Sequence, residues 1–286
     1  MSTELEDLVR KVLREELERA GEPVPRKAAP AEECVDGCVP RVVKIPPPRD
    51  ARELKKIVEQ TPARIVQGRT GTRYLTKVYV GLRAEHAIAL DAVQSEVPDD
   101  FAAKLGAIAL ATRAKDKEEY LLFPDHGRRL NDESRKRLEA EATRGVDVQI
   151  IAADGLAAWA ILEQGEVLVP ALSKELRAVG LTVGKPLFVR FARIGVQDEI
   201  GALTQARSTV ILVGERPGLG TGDSLSIYTA FKPRLNQDNS EKNCLSNIRP
   251  LGQPALVAAR ECAALMRKTF DAGGGGLHLV RPGGGR

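Results

Sequence analysis

A chain of 286 residues is long enough for two domains and a sizeable core, and its 43% hydrophobic and 29% charged residues are typical of a globular protein. No apolar run reaches the length of a bilayer span, so no membrane passage is expected. Against 39 acidic residues stand 43 basic ones, a net charge of +4 with both signs interspersed and only 4% aromatics, which argues against nucleic acid as a partner.

The first residues are acidic and lack a continuous apolar core, unlike a secretory signal. Four cysteines, at 34, 38, 244 and 262, are too few for a disulfide framework and fit a reducing cytoplasm. Cys34 and Cys38 have no second Cys or His pair at zinc-ligand spacing, so they read as incidental thiols. Residues 3–20 predict an amphipathic helix, with Leu5, Leu8, Val9, Val12, Leu13 and Leu17 on one stripe. Seven prolines between Pro23 and Pro48 then mark an extended linker. A helix on such a tether has no core to pack on and reads as a docking peptide. Folding back on the body, or pairing with its own copy, is the plain alternative.

The expected organisation is therefore a helix over 1–21, a linker over 22–50, a small helical domain over 51–116, an α/β domain over 117–271 and a disordered tail over 272–286. In the helical part, 51–60, 76–95 and 99–112 predict helices. Between the first two, Gln67–Tyr74 is a basic loop suited to phosphate or carboxylate, or to an ordinary surface. From 117 onward strands at 119–123, 146–152, 187–191, 208–213 and 225–231 alternate with helices at 132–143, 156–164, 167–179, 198–204 and 254–270. That alternation predicts a Rossmann-like, mostly parallel sheet flanked by helices.

Ser208–Val213 reads as a buried strand that stops at Gly214, followed by Glu215, Arg216 and a loop of bare main chain through Gly218, Gly220 and Gly222. Carboxyl ends of parallel strands are where ligands bind, which makes this loop a site candidate; the alternative is a tight turn with a surface ion pair. Gly218–Asp223 lacks the third glycine of a dinucleotide fingerprint and precedes a β-favouring stretch, not a helix. Asp154, at another strand end, suits a helix cap or a ligand contact. Asp125–Arg129, a charged turn after a strand, suits the lining of a site or, more readily, the start of the next helix, and Asp198 reads chiefly as a helix start. The three histidines are far apart, so no metal is expected. No nucleophile–base set has recognisable spacing, so no catalytic residue is assigned and the chain does not read as a complete enzyme.

Several blocks in order carry a resemblance: Gly68–Arg73, His86–Val97, Pro124–Leu130, Val148–Leu156, Phe188–Arg193, Val196–Gly201, Gly214–Gly220 with Ser224–Ser226, and Cys244–Ile248. Over about 63–270 the sequence resembles the small (light) subunit of ethanolamine ammonia-lyase, the adenosylcobalamin-dependent enzyme that converts ethanolamine to acetaldehyde and ammonia. The resemblance implies that a large (heavy) subunit holds the substrate and the catalytic groups. It also implies that Ile194, Glu215 and Cys244 contact the cobalamin. The family commonly has valine at the first of these; a main-chain contact survives the change to Ile194. The D-x-H-x-x-G signature of histidine-ligated cobalamin proteins is absent, so no protein ligand to cobalt is implied. Helix 3–20 resembles the peptides that bring such enzymes to bacterial microcompartments, implying a shell or cargo partner and a compartment in the cytoplasm. The rival readings are a nucleotide-dependent oxidoreductase and a scaffold or docking subunit with no cofactor role.

Overall fold

The computed structural model describes residues 50–280 apart from positions 62 and 66; the helix expected over 3–20, Cys34, Cys38, residues 22–49 of the expected linker and residues 281–286 of the tail expected over 272–286 lie outside the described residues. In chain order the helices are α1 (Ala51–Glu59), α2 (Thr76–Gln94), α3 (Phe101–Lys104), α4 (Lys117–Leu122), α5 (Asp132–Glu141), α6 (Ala158–Ala178), α7 (Val196–Thr204), α8 (Ala255–Ala272) and α9 (Leu277–Val280). A small antiparallel hairpin joins β1 (Arg69–Thr70) to β2 (Arg73–Tyr74). The main sheet contains β3 (Ile108–Ala111), β4 (Val148–Ala153), β5 (Leu187–Arg190), β6 (Ser208–Gly214), β7 (Leu225–Phe231) and β8 (Lys242–Ile248), in the spatial order β3-β5-β4-β6-β7-β8.

The first four strands of that order are parallel, and β7 and β8 are added antiparallel at one edge. Along β4, Val148, Ile150 and Ala152 face Leu168 and Leu172 of α6 and Met266 of α8. Ile151 and Ala153 face Leu138 of α5 and Ile200 of α7. The period of two places helices on both faces and leaves the central strands without an exposed side, as a doubly covered parallel sheet requires. Each fully buried Leu or Ile contributes about 1.5–3 kcal/mol of transfer free energy. The α/β, Rossmann-like architecture expected from the sequence is the one observed.

Local chemistry sets the helix starts. Asp50 accepts the N–H groups of Arg52 and Glu53, Asp116 that of Glu119, and Asn131 that of Ser134. Three element assignments change. The segment 119–123, expected as a strand, belongs to helix α4, because Asp116 caps it and Tyr120 turns inward. The segment 99–112, expected as one helix, is the single turn α3 followed by strand β3; Gly106 adopts a left-handed φ of 61° between them. Helices expected at 156–164 and 167–179 are the one helix α6. Pro170 lies on its exposed side, while the buried stripe from Ile161 to Leu176 packs on the sheet. Strand β8 is an addition to the expected elements. After α8 the chain turns at Gly273, and the Gly276 N–H donates to Asn243 Oδ1 at 3.0 Å before α9.

Candidate functional site

The carboxyl ends of β5 and β6 and the start of α7 open into a cleft of about 920 Å3 whose far wall is the antiparallel edge β7–β8. Ile194, Glu215 and Cys244 all line it, although the last two lie 29 positions apart (244 − 215) and on opposite sides of β7. Ile194 sits in the loop 192–195 between β5 and α7. Glu215 follows β6, and Cys244 is an exposed thiol on β8.

Glu215 is partly buried and held in place. Its carboxylate accepts the Ser224 hydroxyl at 2.5 Å, the Ser226 hydroxyl and the Asn247 N–H at 3.2 Å, while its own N–H donates to the Ser224 carbonyl at 3.0 Å. A carboxylate with fixed orientation is an acceptor that loses little side-chain freedom when a ligand arrives. Tyr228 pairs with Cys244 across the β7–β8 ladder. Burial first, then the neighbouring Cys244 and Glu215, pushes its phenol up to about 12.

Opposite them, Arg193 lays its guanidinium 4.4 Å over the Tyr120 ring and donates to the Tyr120 carbonyl at 3.0 Å, so much of this cation is committed within the wall. Arg129 donates to Asn236 Oδ1 at 2.6 Å, tying the segment 125–129 to the loop before β8. At the deep end, Lys242 and Asp198 form an ion pair at 3.0 Å with side chains only 4% and 3% exposed. Burial pushes the Asp198 carboxyl up, against the pull of that ammonium. Asp198 does open a helix, as expected, but its partner from β8 was invisible in the sequence because the polar run Lys242–Ile248 carries no strand signal.

Other candidates fall elsewhere. Asp154 neither caps α6, whose N-cap is Ala157, nor lines the cleft; it is buried and accepts main-chain N–H groups. The basic loop 67–74 is the β1–β2 hairpin, with Arg69 stacked 4.8 Å over Tyr74, and contributes nothing to the cleft lining. The glycine loop after Glu215 splits. Leu219 accepts an Arg64 N–H through its carbonyl at 3.1 Å, while Gly222 packs against Ala92 and Trp159, so the loop's distal part fastens to the helical layer. Ser226 lies in the Ser224–Ser226 block, whereas Tyr228 and Lys242 are lining residues that motif reading missed, between that block and Cys244–Ile248. The cleft offers a fixed acceptor, a thiol, donors and main chain at Gly195. That is the equipment of a broad binding wall.

Comparison with known proteins agrees with the resemblance. The family model "Ethanolamine ammonia-lyase light chain (EutC)" matches residues 51–280. Among curated relatives, the ethanolamine ammonia-lyase small subunit of Fusobacterium nucleatum is 35% identical over 288 aligned positions, covering 96% of this chain and 98% of that protein. Those of Clostridium acetobutylicum and Clostridium perfringens are 39% and 36% identical, covering 75% and 81% of this chain and 88% and 79% of their own lengths. With an α/β body, a cleft at the strand ends and matches of this extent, the chain belongs to the ethanolamine ammonia-lyase small-subunit family and is a component of a lyase.

Proposed function

We propose that this chain supplies one wall of the adenosylcobalamin site of an ethanolamine ammonia-lyase, and that the large subunit supplies the opposite wall and the substrate pocket. The observation that carries the reading is the convergence of Ile194, Glu215 and Cys244, from three separate segments, on one cleft. The fit to a corrinoid rests on chemistry. Such a ligand is rimmed with primary amides and carries a phosphate-linked nucleotide, so it suits a wide hollow with exposed main chain, fixed acceptors and some cations. Glu215, oriented by Ser224 and Ser226, accepts from an amide or ribose hydroxyl. The loop 192–195 would hold it through main chain at Ile194, and Cys244 would contact it from the β8 side. When bound, the cofactor supplies the radical that starts amino-group migration; the role of this chain is to orient it and shield it from water.

The test is Glu215→Gln in the enzyme reconstituted with its large subunit, with cofactor binding followed by visible absorption. Affinity is expected to fall roughly tenfold, the loss of one charge-assisted bond. Unchanged affinity in a normally assembled variant would sink the reading and leave the scaffold alternative. The amphipathic pattern of residues 3–20 supports a second function, docking to a microcompartment shell or cargo. Leu8→Glu with Leu13→Glu is expected to abolish compartment localisation, read by fluorescence microscopy, while leaving lyase turnover intact.

A further inference from the structure

Asp154 is 2% exposed, contributes no atom to the cleft and yet touches what builds it. One carboxylate oxygen accepts the Phe191 N–H at 2.8 Å; the other accepts the Ala192 N–H at 3.1 Å and the Gly155 N–H at 2.8 Å. Phe191 has φ of 55°, a left-handed conformation that a bulky residue adopts only when its surroundings impose it. This turn ends β5 and aims the loop 192–195 into the cleft. A second hold on it is the Thr112 hydroxyl, which donates to the Phe191 carbonyl at 2.8 Å.

The turn that carries Asp154 is also pressed onto the other wall. Leu156 N–H donates to the Gly214 carbonyl at 3.1 Å. A side chain at Gly155 would meet that carbonyl oxygen at 2.4 Å, and one at Gly214 would meet the Ala157 carbonyl oxygen at 2.1 Å. Two backbones this close move together, and Glu215 is the next residue. Lys117, 6% exposed, closes the same turn from behind by donating to the Gly155 and Leu156 carbonyls at 3.4 and 3.3 Å.

We infer that Asp154 is a positioning residue for the cofactor wall, its carboxylate setting the loop that bears Ile194 in register with the strand end that bears Glu215. The inference rests on the cofactor reading above. It gives a role to a carboxylate sited where burial pushes its pKa up, against the N–H groups and the Lys117 ammonium that hold it down.

The experiment uses the assembled enzyme. Asp154→Asn keeps the shape but turns an amide NH2 toward main-chain donors. The Kd for adenosylcobalamin, followed by visible absorption, and the KM with it are expected to rise about tenfold, with kcat at saturating cofactor held within about twofold and large-subunit copurification retained. Thr112→Val, which removes only the second hold, is expected to raise the same KM about threefold. If Asp154→Asn fails to assemble, Thr112→Val decides. Assembled variants with an unchanged cofactor KM overturn the inference, whatever happens to their melting temperatures. Should Glu215→Gln raise KM while these two do not, positioning fails and the cofactor reading stands. Should Glu215→Gln also leave it unmoved, the cofactor reading itself has failed.

Discussion

The parallel and antiparallel halves of the sheet are built on different terms, and the cleft lies where they meet. Strands β4 and β6 are buried along their whole lengths and β5 is buried up to Arg190, while the edge strand β3 alternates buried and partly exposed residues. Strand β8 is polar and half-exposed, reading KNCLSNI, and a register shift interrupts its pairing with β7 near Leu225. The buried half has packing on both faces to fix it. The edge is fixed by its ladder to β7, a partly covered face and particular polar ties: Lys242 to Asp198 and the Asn247 N–H to Glu215. A binding wall that draws on both halves combines a rigid base with an adjustable rim.

That contrast predicts unequal costs. The largest effect is expected from Lys242→Met, which removes the ammonium paired with the buried Asp198 carboxylate; breaking a buried pair this way costs about 3–5 kcal/mol, read by denaturant melts. Because burial has already raised the Asp198 pKa, the carboxyl takes up a proton in acid and the loss is expected to shrink as pH falls. The double variant with Asp198→Asn is expected to recover most of the loss, and no recovery would mean that the pair is not what ties β8 to α7. Next comes Ile151→Ala in β4, expected to cost about 2–5 kcal/mol, against about 1 kcal/mol for Leu245→Ala on the edge. Equal losses would break the distinction between the halves. The smallest effect concerns Tyr228. Its phenol ionises at about 12 in the fold but near the ordinary 10.0 when unfolded, so alkali favours the unfolded chain and stability declines as pH climbs from 10.0 to about 12. Tyr228→Phe is expected to flatten that decline in a melting series.

The same contrast explains what the sequence allowed to be read. Strands such as Ser208–Val213 announce themselves because both faces are covered, and every position must be apolar or hydrogen-bonded. Strand β8 does not, since its pairing to β7, and not its composition, makes it a strand. Residues 119–123 carry aromatic and aliphatic side chains that suit a strand, and the Asp116 cap three residues upstream decides for a helix. Ile108–Ala111 has alanines that favour helix, yet β5 recruits it as an edge. Of the cleft, the Glu215 loop was legible as chemistry; Ile194 and Cys244 were legible through the resemblance alone. Asp154 was noticed for its place at a strand end, but its use of the Phe191 and Ala192 amides depends on a turn that no spacing rule reveals.

Strand β6 hydrogen-bonds to a parallel neighbour on one side and an antiparallel one on the other, and Glu215 leaves it gripping Ser224, just before β7, and Ser226 within it. A guest seated across that junction touches both halves at once and so acts as a cross-brace. Its occupancy adds stability by mass action, as RT ln(1 + [L]/Kd), to the half that has least of its own. Amides of β8 should then exchange their hydrogens more slowly with solvent when the hollow is filled, while those of β4, already sealed, barely change.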